Sequence, residues 1–248
     1  MKRVVLDTGP LISLTLNNLV WLLKPLKEKL QGQFCITKSV YKELIEQPLH
    51  TRKYRFEALQ ILPYIADGTI LLLKDEKIYT QAEELLANAN RCFYSNQNNI
   101  NIVHLADMEV VSAALFADAS AVVFDERTSR LLIENPERLR QHLQKKLHTQ
   151  VKADQKIVAE LKQKIGKIKV IRSFELVTVA FETGLLNTLI AEGEEKIVDN
   201  LRLALLEGAL WGIKLSGCSV RSDEIDEILF IEAKKDNSPQ SNPNSRET

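Results

Sequence analysis

Two short apolar runs that each stop at a carboxylate constrain this chain more than any other feature. Val4, Val5 and Leu6 lead into Asp7, after which Gly9-Pro10 breaks the run before a helical pattern begins. Ala121, Val122, Val123 and Phe124 lead in the same way into Asp125-Glu126. Consecutive apolar residues over so short a run read as a strand buried on both faces. Further strands are expected at Phe34 to Ile36, at Thr69 to Leu73 after Asp67-Gly68, and at Ile168 to Ile171. Between them the apolar spacing predicts helices over Arg52 to Ile65, Ile78 to Phe93, a stretch carrying Leu105 to Leu115, Arg127 to Ile133, Pro136 to about Lys164, and Phe174 to Phe181 closed by Gly184. Thr37 is placed to cap a short helix bearing Glu43, and the polar run Ser95 to Asn101 reads as a loop.

Strands that alternate with helices imply an α/β fold built on a parallel sheet. The expected fold class is a three-layer sandwich, a central and mostly parallel sheet flanked by helices, over residues 1–185. Beyond Leu186 the pattern is helical with no clear strand, which adds a helical C-terminal unit over 186–235. There Leu189, Ile190, Ile197, Leu201, Leu205, Leu206, Leu210 and Trp211 form a broad apolar face, with Trp211 and Leu215 expected to anchor it. A face of that width must dock on its own α/β domain or on a second copy, so a homodimer is possible. The Ser/Pro/Asn-rich end, 236–248, is expected to be disordered.

With 45% hydrophobic residues in 248, the chain can bury a substantial core, yet its apolar stretches break well short of the roughly 20 residues a membrane span needs. No membrane association is expected. Cys35, Cys92 and Cys218 lie far apart without a C-x-x-C pair, which argues against a disulfide framework and a cysteine zinc site and fits a cytoplasmic location. Net charge is zero, but its distribution is polarised: thirteen basic residues against six acids between Asp125 and Arg172 give that segment +7. Such an excess suits either a solvated helix face or a surface that contacts phosphates, Arg127 and Arg130 lying nearest the strand-end acid.

In open α/β sheets ligands bind outside the carboxyl ends of the strands, so Asp7 and Asp125 are placed to meet in one crevice. Asp107 opens the helix that precedes the second of these strands, and Glu43 lies on the helix after the Phe34 to Ile36 strand. Four carboxylates so gathered suit Mg²⁺ or Mn²⁺, which activate water and stabilise charge on a phosphate under attack. Each acid also has a structural reading. Asp7 in D-T-G would cap the following helix, Asp107 would favour a helix dipole, Glu43 would sit in solvent, and Glu46 one turn away would serve a metal as well. Glu109 lies about 200° around the helix from Asp107 and is the weaker candidate.

The stretches V-V-L-D-T-G-P-L-I-S-L (Val4 to Leu14), V-Y-K-E-L (Val40 to Leu44), L-A-D-M-E-V-V-S-A-A-L (Leu105 to Leu115) and V-V-F-D-E-R-T-S-R-L-L (Val122 to Leu132), in this order and spacing, resemble the PIN-domain nucleases over roughly residues 1–185. The resemblance implies that Asp7, Glu43, Asp107 and Asp125 are catalytic, metal-binding acids and that Thr8 is the hydroxyl residue after the first aspartate. It implies endoribonuclease activity with Mg²⁺ or Mn²⁺ as cofactor, and RNA as partner, with Thr8, Arg127 and Arg130 against the substrate. Two departures stand out. Val123 occupies a position where relatives often carry Thr or Ser, and the long acid-rich C-terminal part is absent from small toxin-type relatives.

Rival chemistries fit less well. A haloacid dehalogenase-type phosphatase needs a second Asp where Gly9 stands. No G-x-x-x-x-G-K, G-x-G-x-x-G or H-E-x-x-H motif occurs. A non-catalytic PIN-like adaptor that binds RNA or protein, and a toxin-type ribonuclease held by an antitoxin partner, are the alternatives that share the same surfaces.

Overall fold

The computed structural model describes residues 2–190 and 200–236. In chain order the elements are β1 (Lys2–Leu6), α1 (Thr8–Leu16), α2 (Leu23–Lys29), β2 (Gly32–Ile36), α3 (Lys38–Tyr41), a single π turn (Lys42–Glu46), α4 (Gln47–Leu49), α5 (Arg55–Ala66), β3 (Ile70–Leu72) and α6 (Glu76–Ala89). They continue as β4 (Phe93–Ser95), β5 (Asn98–Asn99), α7 (Leu105–Phe116), β6 (Ala121–Val123), α8 (Arg127–Glu134), α9 (Pro136–Leu147), β7 (Lys152–Ala153), α10 (Gln155–Ile165), β8 (Val170–Ile171) and α11 (Ser173–Glu182), then α12 (Leu201–Leu215) and α13 (Ser222–Asp236).

Five parallel strands form one sheet in the order β3-β2-β1-β6-β8. Neighbouring residues of a strand point to opposite faces. Val5 and Leu6 are both 0% exposed, as are Val122 and Val123, so both faces of the sheet centre are covered. Helices α6, α7 and α10 pack together, α1 touches α5 and α11, and α12 lies on α11. The class is α/β with a central parallel sheet flanked by helices, as the sequence implied. The order of strands reverses direction between β1 and β6, and α/β sheets bind ligands at the carboxyl ends of the strands flanking such a switch. In register, Leu6 stands beside Val123, and the Asp7 N–H donates to the Val123 carbonyl at 3.2 Å.

Three local expectations are corrected. The stretch from Pro136 to Lys164 is two helices: His148 takes a left-handed conformation (φ 50°) at the end of α9, and β7 intervenes before Asp154 caps α10 by accepting the Lys156 and Ile157 N–H groups. The interruption is tertiary in origin, because β7 pairs with the distant β4. Phe93 leaves the helix expected for it and enters β4. The polar loop after it is a hairpin whose central residues, Asn96 and Gln97, both have positive φ, as a type I′ turn demands.

The helical C-terminal unit shares the apolar core of the sheet domain. Leu206, Leu210 and Ile213 are 0% exposed and belong to the same cluster as β1 and α11. Leu215, expected as an anchor, is 81% exposed, and Trp211 is half-buried. Polar seams reinforce the docking: the Asn17 amide on α1 donates to the Ser216 hydroxyl at 2.9 Å, and the Ser219 N–H donates to the Asp125 carbonyl at 2.9 Å. The expected apolar position Ile197 and residues 237–248 of the expected disordered tail lie outside the described residues, while α13 extends through Asp236. Cys35, Cys92 and Cys218 are free thiols, all buried. Among the described residues no helix is long and apolar enough to cross a membrane.

Candidate functional site

Asp7 stands at the carboxyl end of β1, immediately before α1. Its position is that of an N-cap, but its side chain makes no capping hydrogen bond. Its carboxyl is pushed up from 3.8 to about 7, first by burial, then by the negative charge of Asp107 and, more weakly, by that of Glu43; the N–H groups of Thr8 and Gly9 pull the other way. Asp7 therefore feels two of the other acids expected from the sequence at the sheet's switch point. Gly9 lies beside both strand-end acids: a Cβ built on it would make ordinary contact with the Asp7 Oδ2 at 3.6 Å and the Asp125 Cβ at 3.9 Å.

Hydroxyl groups hold two of these acids in place. Thr8 Oγ1 donates to Glu43 Oε2 at 2.9 Å, which ties the first turn of α1 to the π turn. That turn has one more residue than an α-helical turn, a feature frequent at functional sites. Glu43, rather than Glu46, is the acid that it brings to β1. Asp107 sits in the first turn of α7, where Oδ2 accepts the His104 N–H at 2.8 Å and Oδ1 accepts the Ser129 hydroxyl of α8 at 2.8 Å. Glu109 faces elsewhere: it is 4% exposed and accepts the Ser39 N–H at the start of α3.

Asp125 is placed differently from the other three. It is 3% exposed, with Oδ1 accepting the Ser173 N–H at 2.8 Å and Oδ2 the Ser173 hydroxyl at 2.7 Å, so its carboxylate closes the first turn of α11. Cys218, from the C-terminal unit, lies against the same group; burial first and the Asp125 charge second push its thiol up to about 12. Ser129, Ser173 and Cys218 carried no signal in the sequence, because each matters only through a partner at least 22 residues away.

None of the ion pairs among the described residues reaches Asp7, Glu43 or Asp107. Carboxylate oxygens without a cationic partner match the donor chemistry of hard divalent cations. As the side chains stand, no group of three or more His, Cys, Asp or Glu among the described residues is arranged to hold an ion. Arg127 and Arg130 lie on α8 and line a cavity described below.

Comparison with protein-family models, with curated proteins and with solved structures gave no match.

Proposed function

We propose that the chain is a metal-dependent endoribonuclease whose PIN-like acid cluster hydrolyses RNA phosphodiester bonds. The observation that carries this reading is the meeting of Asp7, Glu43 and Asp107 at the carboxyl ends of the central strands, with no ion pair to offset their charge among the described residues. Crowded carboxylates repel unless a proton or a cation neutralises them, and evolution seldom tolerates such repulsion for packing alone.

On this reading Asp7, Glu43 and Asp107 hold Mg²⁺ or Mn²⁺, with Asp125 behind them. A bound divalent cation supplies an activated water and stabilises charge on the phosphate. Thr8 and Ser129 fix the carboxylates of Glu43 and Asp107 so that they need not reorganise on binding. Arg127 and Arg130 place positive charge on α8 for the phosphate backbone of the substrate.

Labelled RNA incubated with purified protein in EDTA, Mg²⁺ or Mn²⁺ tests the reading. Cleavage should require the metal and vanish in Asp7→Asn with the fold retained. RNA binding without cleavage in any of the three conditions would overturn it in favour of a non-catalytic adaptor, the reading that the commitment of Asp125 to Ser173 favours.

A further inference from the structure

A strongly basic concavity lies between α8, α9 and the start of α13. It encloses about 420 Å³ and is lined by Arg127, Arg130, Arg138, Lys145 and Arg221. A single carboxylate, Glu224, shares the wall, and it is engaged already: it pairs with Arg172 at 3.1 Å and accepts the Arg221 N–H at 2.9 Å. Arg221 is paired with Asp223 at 2.9 Å and lies 3.8 Å from Glu224, so Arg127, Arg130, Arg138 and Lys145 carry the positive excess; basic groups gathered around one small cavity repel one another, a cost that an anion relieves.

Arg130 shows the effect most directly. Its side chain is 18% exposed, and its Nε is buried without a hydrogen-bond partner. Its nearest acid, Glu134, is 3.6 Å away, a distance that leaves the guanidinium without a close bidentate partner. Burial, then the charge of Arg172, depress its ordinary basicity. His142 on the same wall is depressed too, by burial first and then by Arg127, Lys146 and Lys145. A buried N–H donor without an acceptor costs free energy, so a ligand that supplies acceptor oxygens is favoured here.

We propose that this cavity binds a terminal phosphate monoester of an RNA strand. A monoester carries about two negative charges near neutrality and three acceptor oxygens, as phosphoserine does. A backbone diester carries one charge and would leave most of the remaining positive excess unneutralised. The position suits an anchor rather than a reaction centre. Ser129, about 100° around α8 from Arg130, holds Asp107, so the cavity and the acids lie against different sides of one helix. The C-terminal unit completes the site through Arg221, which gives that unit a role in substrate capture. The inference deepens the ribonuclease reading and rests on it only for the identity of the strand.

Binding measured in EDTA, where a metal-dependent nuclease is silent, tests the anchor separately from cleavage. Short single-stranded RNAs of one sequence, bearing a 5′-phosphate, a 3′-phosphate or hydroxyl groups at both ends, are compared by fluorescence anisotropy, with inorganic phosphate as competitor. One phosphorylated end should bind about tenfold tighter than the hydroxyl strand, the yield of one or two charge-assisted hydrogen bonds. Whichever end shows the preference identifies the terminus that is held. Arg221→Gln and Arg138→Gln, at exposed positions that should not disturb folding, should each erase the preference while the hydroxyl strand binds nearly as before. Equal affinity for all three strands would overturn the proposal, as would a preference that survives both substitutions. Loss of cleavage in Mg²⁺ with the end preference intact would count against the nuclease reading alone.

Discussion

Asp7 and Asp125 end neighbouring strands, yet their environments assign them different work. Asp7 keeps a proton in the folded protein up to about pH 7, whereas in the unfolded chain it releases it near 3.8. Between those values the unfolded state binds fewer protons than the folded one, so metal-free stability should fall as pH rises from about 4 to 7. The full shift corresponds to ~4 kcal/mol, and because the carboxyl keeps some contact with solvent about 1–2 kcal/mol is expected. Asp7→Asn should therefore melt higher than the parent at pH 8 in EDTA and lose that pH dependence. Denaturation curves at pH 4, 6 and 8 check this, and a parent that gains stability with pH would contradict the crowding of the three acids. Mn²⁺ should raise the melting temperature of the parent and not of Asp7→Asn. Asp125→Ala should behave in the opposite way: it strands the Ser173 N–H and hydroxyl in a buried site, and a loss of about 2–4 kcal/mol in urea denaturation is expected. Both acids could be picked out of the sequence by their place after an apolar strand. Their division of labour could not, because it depends on Ser173 in one case and on Asp107 in the other.

At the scale of elements, local chemistry and distant pairing share control. Thr37 caps α3, as its sequence position implied, by accepting the Val40 N–H at 3.4 Å. The β4–β5 hairpin turns on Asn96 and Gln97, and Gln97 holds φ at 66°, a conformation that costs a residue with a Cβ more than it costs glycine. Gln97→Gly should raise stability by about 0.5–1 kcal/mol by relieving that strain, less the added freedom of the unfolded chain. Chemical denaturation measures it, and a destabilised variant would show that the Gln97 conformation is not strained. The split between α9 and α10 belongs to the other category. Its lysine-rich flanks keep helical character, while the left-handed His148 and the pairing of Lys152 with Tyr94 and of Ala153 with Phe93 hold the chain between them out of the helix.

At the scale of the molecule, the C-terminal unit and the sheet domain share one core. Gly212 lies where α12 meets α1, and a Cβ there would overlap the Asn17 amide that donates to the Ser13 carbonyl at 2.7 Å and to Ser216. Gly212→Ala should displace that amide and cost about 1–3 kcal/mol. A variant as stable as the parent would mean that Asn17 gives way freely. Truncation after Gly184 should be more severe, since it uncovers the α11 surface on which Leu206, Leu210 and Ile213 are buried. A soluble fragment that melts within about 5 °C of the full chain would contradict a shared core.

Sequence by itself determined the alternation of strands and helices, the strand-end placement of Asp7 and Asp125, and the excess of positive charge after Asp125, because apolar runs, breakers and charge are properties of neighbouring residues. Tertiary structure alone decided which carboxylates are crowded and which are satisfied. It also gathered five cations from α8, α9 and the Arg221 turn around one cavity. Both outcomes depend on contacts between residues far apart in the chain, and such contacts leave no periodicity in the sequence to read.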